Sequence, residues 1–411
     1  MKLVSIQPEY LRRDEALPFG VRDAEGRLLL AAGQVIDNED RMAELRGQPL
    51  FAAEAESASW FRRLNAAMDA RIREGALLHQ VASARPDLPA AAAARKALTL
   101  PEEWHEIVAQ LDATLREIRP GENCRARVLA VHARARVLAT RRTDASLYHL
   151  VYEAAHSTVK YSSHHSLLAM VIGEQAAQML NWQQSWVDSL GRAALLMNVA
   201  MLRLQDQLAA DDRPPTPQMR AEIEVHPAKG ALMLQQCGLN DELCVEAVRL
   251  HHEAGPADTP LADLAPAQQL ARLLRRVDIF SAQISLRRSR APISPVQAAR
   301  DACLSASGKP DEIGGALLRA VGMYPPGSFV ELACGELGIV VARGRRANVP
   351  YVAALLNSSG DLIADPLLRD TLDQRYGVKG AVPAAKVKIR PPHDRLLALR
   401  TATEPAAGVL R

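Results

Sequence analysis

At 411 residues, with 48% hydrophobic and 24% charged, the chain is too long for one ordinary core and has the balance of a folded protein of two or three domains. The net charge of +3, with no basic stripe interleaved with aromatics, excludes a nucleic-acid binder. Aromatics at 4% in an alanine- and leucine-rich chain favour packed helices over a β-sandwich.

Residues 1–52 read as a small β-rich unit. Phe19–Arg22 and Arg27–Leu30 flank Asp23-Ala24-Glu25-Gly26, a hairpin turn in which glycine supplies positive φ, and Ala31–Ile36 is expected to continue that sheet. Between Met1 and Asp14 the charges Glu9, Arg12 and Arg13 interrupt any signal-peptide core.

Residues 53–151 form a helical linker and dimerisation region, broken at Pro86-Asp87-Leu88-Pro89 and at Pro120-Gly121. Within it Trp104, Ile107, Val108, Leu111, Leu115 and Ile118 recur at helical spacing, and His105 reads as a surface residue. Residues 152–322 are the densest helical block. Its break is Asp211–Pro217, where Thr216 makes an N-cap and Pro217 occupies the first helical position.

Residues 323–411 begin with Tyr324-Pro325-Pro326-Gly327. Phe329–Leu332, Leu337–Val341 and Tyr351–Leu356 then predict three or four short antiparallel strands, before a loosely ordered tail. The apolar stretches Leu167–Ile172 and Ala193–Leu202 are too short or interrupted to span a bilayer, so no membrane partner is expected. Five scattered cysteines without a Cys-x-x-Cys spacing argue against a disulfide framework and a zinc ribbon, and fit the cytoplasm. The clusters Arg287-Arg288-Ser289-Arg290 and Arg343-Gly344-Arg345-Arg346 read as solvated loops.

Chemistry concentrates in the helical block. His164-His165-Ser166 opens a helix, Val225-His226-Pro227-Ala228-Lys229-Gly230 starts another, Leu250-His251-His252-Glu253 ends a third, and Arg276-Val277-Asp278-Ile279-Phe280 sets a carboxylate in an apolar run. Imidazoles and carboxylates from several helices can surround adjacent divalent metals, which lower the pKa of a shared water and clamp a phosphodiester. Taken singly, each histidine reads more simply as a cap or a core residue.

In order and spacing this set resembles the HD-GYP family, bacterial HD-superfamily phosphodiesterases of cyclic di-GMP. The resemblance implies a mainly α fold: an HD-superfamily helical domain flanked by a small N-terminal β-unit and a small C-terminal antiparallel β-unit. It also implies metal ligation by His165, His226, His251, His252 and Asp278, with iron or manganese as the divalent ion. Arg287, Arg288 and Arg290 fall where the family carries an arginine-rich segment, which makes them candidates for phosphate.

Departures from the family pattern decide the functional expectation. The His-Asp doublet falls on Met197-Asn198, the lysine that follows it falls on Met201, and Ala254-Gly255-Pro256-Ala257-Asp258-Thr259-Pro260 replaces the Gly-Tyr-Pro signature. Asparagine offers a neutral carbonyl where a bridging carboxylate belongs, and methionine is a soft ligand. The expectation is a degenerate receptor, scaffold or regulatory partner in cyclic di-GMP signalling. It would have weak or absent metal, cyclic di-GMP and other proteins of that system as partners, and a homodimeric state. The alternative is an active phosphodiesterase with a reduced metal site built on His226, His251 and His252.

Overall fold

The computed structural model describes residues 2–13, 17–36, 39–73, 77, 98–119, 121, 123–253, 259–305, 308–389 and 391–401. Pro86–Pro89, Pro120 and positions 254–258 of the segment replacing Gly-Tyr-Pro lie outside the described residues. The chain is mainly helical, with a small antiparallel sheet near each end, as the sequence predicts. It divides into two compact units, Met1–Ile107 and Val108–Arg411.

The first unit holds β1 (Leu3–Ile6), β2 (Val21–Arg22), β3 (Leu28–Leu30), α1 (Glu39–Arg46), β4 (Leu50–Ala53) and α2 (Glu54–Arg73). Its sheet order is β1-β4-β2-β3, all antiparallel. The expected hairpin is present, with Gly26 at φ 85° and the Asp23 amide donating to the Arg27 carbonyl. Ala31–Ile36 does not continue the sheet: Gly33, at φ 82°, turns the chain, and Ile36 makes an isolated bridge to Arg13. Tyr10, Phe19, Trp60 and Phe61 meet edge to face in the core of this unit, so a large share of a scarce residue class stabilises it. His105 is half-buried rather than a surface residue, and burial pushes its pKa down to about 4.

The helix α3 (Leu100–Arg116) crosses the boundary. Beyond it lie α4 (Arg125–Arg141), α5 (Thr143–His156), α6 (Tyr161–Met179), α7 (Gln184–Leu196) and α8 (Leu202–Ala210). These are followed by α9 (Pro217–Gln236), α10 (Glu242–Leu250), α11 (Pro266–Ile284), α12 (Pro295–Ala302) and α13 (Glu312–Val321). α6 is buried on nearly every side, touching α5, α7, α11 and α13, and its sequence accordingly lacks a polar stripe. Thr216 caps α9 as expected, its Oγ1 accepting from the Met219 amide at 3.2 Å.

The C-terminal sheet comprises β5 (Phe329–Leu332), β6 (Leu337–Ala342), β7 (Tyr351–Leu356), β8 (Leu362–Asp370) and β9 (Val378–Val382), in the order β8-β7-β6-β5-β9. The two strands beyond expectation are the sheet edges, where Pro366 and Gly380 sit at low energetic cost. The expected loose tail contains α14 (His393–Thr401), which buries Leu396 and Leu397.

Two further expectations fail. Arg343 is not solvated: its guanidinium bonds the Asp144 carboxylate at 2.6 Å, Gln175 Oε1 at 2.8 Å and the Ala320 carbonyl at 2.6 Å, fastening the end of β6 to α5, α6 and α13. Cys124 and Cys237 form a disulfide, with Cα atoms 5.6 Å apart and 113 residues between them in sequence. Spacing rules that search for nearby cysteine pairs do not see a bridge of that span.

Candidate functional site

Each histidine is aimed by a backbone peculiarity of its own helix. Pro227 lies inside α9 and has no N–H, so the Ile223 carbonyl four residues back loses its helical donor. The His226 Nδ1–H donates to that carbonyl at 2.6 Å. His251 follows the last residue of α10, where the final carbonyls have no partner within the helix. Its Nδ1–H donates to the Val248 carbonyl, also at 2.6 Å.

A carbonyl only accepts, so both Nδ1 atoms carry the proton and both Nε2 atoms keep their lone pair. The two Nε2 atoms face each other at 3.2 Å. His252 joins them, and one ligand atom from each of the three imidazoles lies within 4.8 Å of the others. His226 and His251 are buried, whereas His252 is exposed at the mouth.

His165 and Asp278 form the adjoining half. Asp206 Oδ1 accepts from the Ser162 amide at 2.8 Å, and the Ser162 hydroxyl donates to the Leu202 carbonyl, which pins the start of α6 to α8. One turn on, His165 Nε2 lies 2.7 Å from Asp278 Oδ1 of α11. Its ring lies parallel to Tyr161 at 5.8 Å, and its buried Nδ1 has no hydrogen-bond partner among the described residues.

The electrostatics favour a cation. Burial pushes His226 down to about 4, reinforced by the neighbouring His251. Burial pushes His251 down to about 4 as well, against the pull of Asp278, and burial also lowers His252. Burial alone would raise the Asp278 carboxyl; the His165 hydrogen bond and the charges of the surrounding imidazoles outweigh it and hold the group below the usual carboxylate range. At neutral pH His226, His251 and His252 are therefore neutral beside a carboxylate, the protonation state that metal binding requires.

The structure thus brings together His165, His226, His251, His252 and Asp278. Met197 and Asn198 lie at the end of α7, where the chain enters a tight turn, Val199–Met201. Met197 is fully buried, and Asn198 is buried with its Nδ2 lacking a hydrogen-bond partner. Met201 is half-buried. Val199 and Ala200 of this turn approach Gly230 of α9, one helical turn past His226.

The three arginines separate. Arg287 donates to the Tyr161 hydroxyl at 3.0 Å and lies over that ring, one residue removed from His165. Arg290 donates to the Ala282 carbonyl, and Arg288 borders a surface cleft with Gln207, Asp211, Asp212 and Arg213. Two supporting residues escaped the sequence reading: Tyr161, one turn before His165, and Arg275, one turn before Asp278, which bonds the His252 carbonyl. Helical spacing from the expected ligands was the available signal.

No protein-family model matches the chain. A cyclic di-GMP phosphodiesterase of Pseudomonas aeruginosa is 26% identical over 202 residues, covering 48% of this chain and 49% of the relative. This match supports the HD-GYP family. The chain spans about half the length of the curated relative it matches. Among solved structures, an HDG"Y"P protein from Bdellovibrio bacteriovorus aligns at TM-score 0.43 and 16% identity, covering 77% of this chain and 98% of that one. Among the described residues, no helix is long and apolar enough to cross a membrane.

Proposed function

We propose that the chain is an HD-GYP-type receptor or regulatory protein of cyclic di-GMP signalling that binds a divalent metal and hydrolyses the dinucleotide little or not at all. The observation that carries this reading is the mismatch within the site. Imidazoles are arranged for metal, with opposed lone pairs at 3.2 Å, while Met197, Asn198 and Met201 align with the family positions that carry bridging and phosphate-holding groups.

A divalent ion fits the donor set, since two buried lone pairs facing each other repel unless a cation lies between them. When bound, the ion supplies Lewis-acid attraction for a phosphate oxygen. His226, His251 and His252 hold it, and Asp278 balances its charge. Arg287, steadied on Tyr161, whose ring stacks on His165, is the arginine we assign to a phosphate. Asn198 supplies no charge, so nothing at this position offsets the repulsion between two adjacent dications. Other proteins of the same signalling system and a homodimer through residues 53–151 complete the proposal.

Equilibrium dialysis of the full chain with labelled cyclic di-GMP, with and without added manganese, tests the receptor reading. Saturable binding with the nucleotide recovered intact is expected. Absence of binding under both conditions contradicts the reading.

A further inference from the structure

We infer that this site is built for one divalent ion rather than two, a borderline ion of the zinc class held by His226, His251 and His252, with the His165–Asp278 pair closed on itself beside it. The inference rests on the reading above that these histidines bind metal, and it concerns how many ions, and of which kind.

Five ligand-capable side chains meet here, but they do not offer five free ligand atoms. His226 and His251 each have Nδ1 committed to a carbonyl and Nε2 free, and the two free atoms converge. His252 completes a set within 4.8 Å, and the 3.2 Å between the His226 and His251 Nε2 atoms is close to the roughly 3.4 Å that separates two nitrogens on one tetrahedral zinc. The three rings meet edge to face, with centroids 4.4 to 5.1 Å apart, so their ligand atoms share one focus. His165, by contrast, has its Nε2 engaged with Asp278 Oδ1 at 2.7 Å, an interaction that a second ion would have to break.

The carboxylate count points the same way. A pair of adjacent dications needs a bridging anion. Among the described residues, Asp278 is the carboxylate in this cluster and is already shared with His165, while position 198 carries a neutral amide. What remains is a three-nitrogen site with an exposed fourth position, since His252 faces solvent. Imidazole-rich sites of this form suit Zn²⁺ or Co²⁺ over the harder Mn²⁺, which prefers oxygen.

The test is titration of the metal-stripped full chain with Co²⁺ alone, followed by visible absorption, and then displacement by Zn²⁺. One equivalent of Co²⁺ per chain is expected, with the intense bands of a four-coordinate ion, and one equivalent of Zn²⁺ abolishes them. His252→Ala, an exposed position whose loss leaves the fold intact, lowers Co²⁺ affinity by at least about tenfold and changes the bands. His165→Ala keeps one equivalent and the same bands. Circular dichroism of both variants in chelator verifies folding. Two equivalents of comparable affinity, or a His165→Ala spectrum altered as in His252→Ala, overturns the inference while leaving metal binding intact. No uptake at all overturns both. Cyclic di-GMP binding, measured separately, does not bear on the ion count.

Discussion

Pro227 is unfavourable for α9 and favourable for the site. A proline in a helix interior costs about 3 kcal/mol, and here the carbonyl it leaves unbonded is the one that orients His226. Pro227→Ala restores an amide that competes for the Ile223 carbonyl. Thermal denaturation should show a gain of about 1–3 kcal/mol, while Co²⁺ affinity falls by about tenfold as His226 loses its fixed orientation. A variant that binds metal as before would remove the role assigned to the proline. At this scale the grouping of His165, His226, His251, His252 and Asp278 was legible through the resemblance to the HD-GYP family, whose motif order sets these residues together. The Arg287–Tyr161–His165 stack was not, since a loop arginine meets the helix across 126 residues of sequence. Nor does spacing reveal that His165 and Asp278 bond each other across 113 residues.

Between elements, a tight constraint outside the site lies where α4, α6 and α7 converge. His132 and Glu174 form a buried hydrogen bond of 2.6 Å, and Gly191 of α7 passes directly over it. A Cβ at Gly191 would collide with Glu174 Oε1 and lie 2.6 Å from His132 Nε2. Gly191→Ala should therefore destabilise the chain by about 3 kcal/mol in chemical denaturation, since it parts a buried polar pair. A loss below about 0.5 kcal/mol, the range of an ordinary surface change, would show that the pair relaxes freely. Arg343→Ala should cost about 1–3 kcal/mol, because it removes the guanidinium hydrogen bonds to Asp144, Gln175 and the Ala320 carbonyl. Helix positions were readable from periodicity, and the Thr216 cap from its proline neighbour. Edge strands β8 and β9 were not, because residues such as Pro366 and Gly380 weaken the β signal at positions that need only half a ladder.

For the chain as a whole, the Cys124–Cys237 disulfide closes a long loop that joins the start of α4 to the end of α9, the helix bearing His226. Cross-links of this kind contribute about 2–5 kcal/mol, largely through the unfolded ensemble. Alkylation of the oxidised, denatured protein should label three cysteines, Cys244, Cys303 and Cys334, and all five after reduction. Reduction should also lower the melting temperature. Five labels without reductant would show that the bridge does not form in the isolated protein. No sequence pattern announces this bridge, since only the packing of α9 against the segment before α4 brings the cysteines together, with the Cys124 amide on the Cys237 carbonyl at 3.1 Å.

The most direct measurement is chromatographic turnover of cyclic di-GMP by the full chain in excess manganese or iron, beside the His226→Ala variant. No linear dinucleotide or GMP above the variant's background is expected, because Asn198 cannot bridge two ions. Multiple turnovers that disappear in His226→Ala would contradict this and show that an asparagine at this junction sustains hydrolysis.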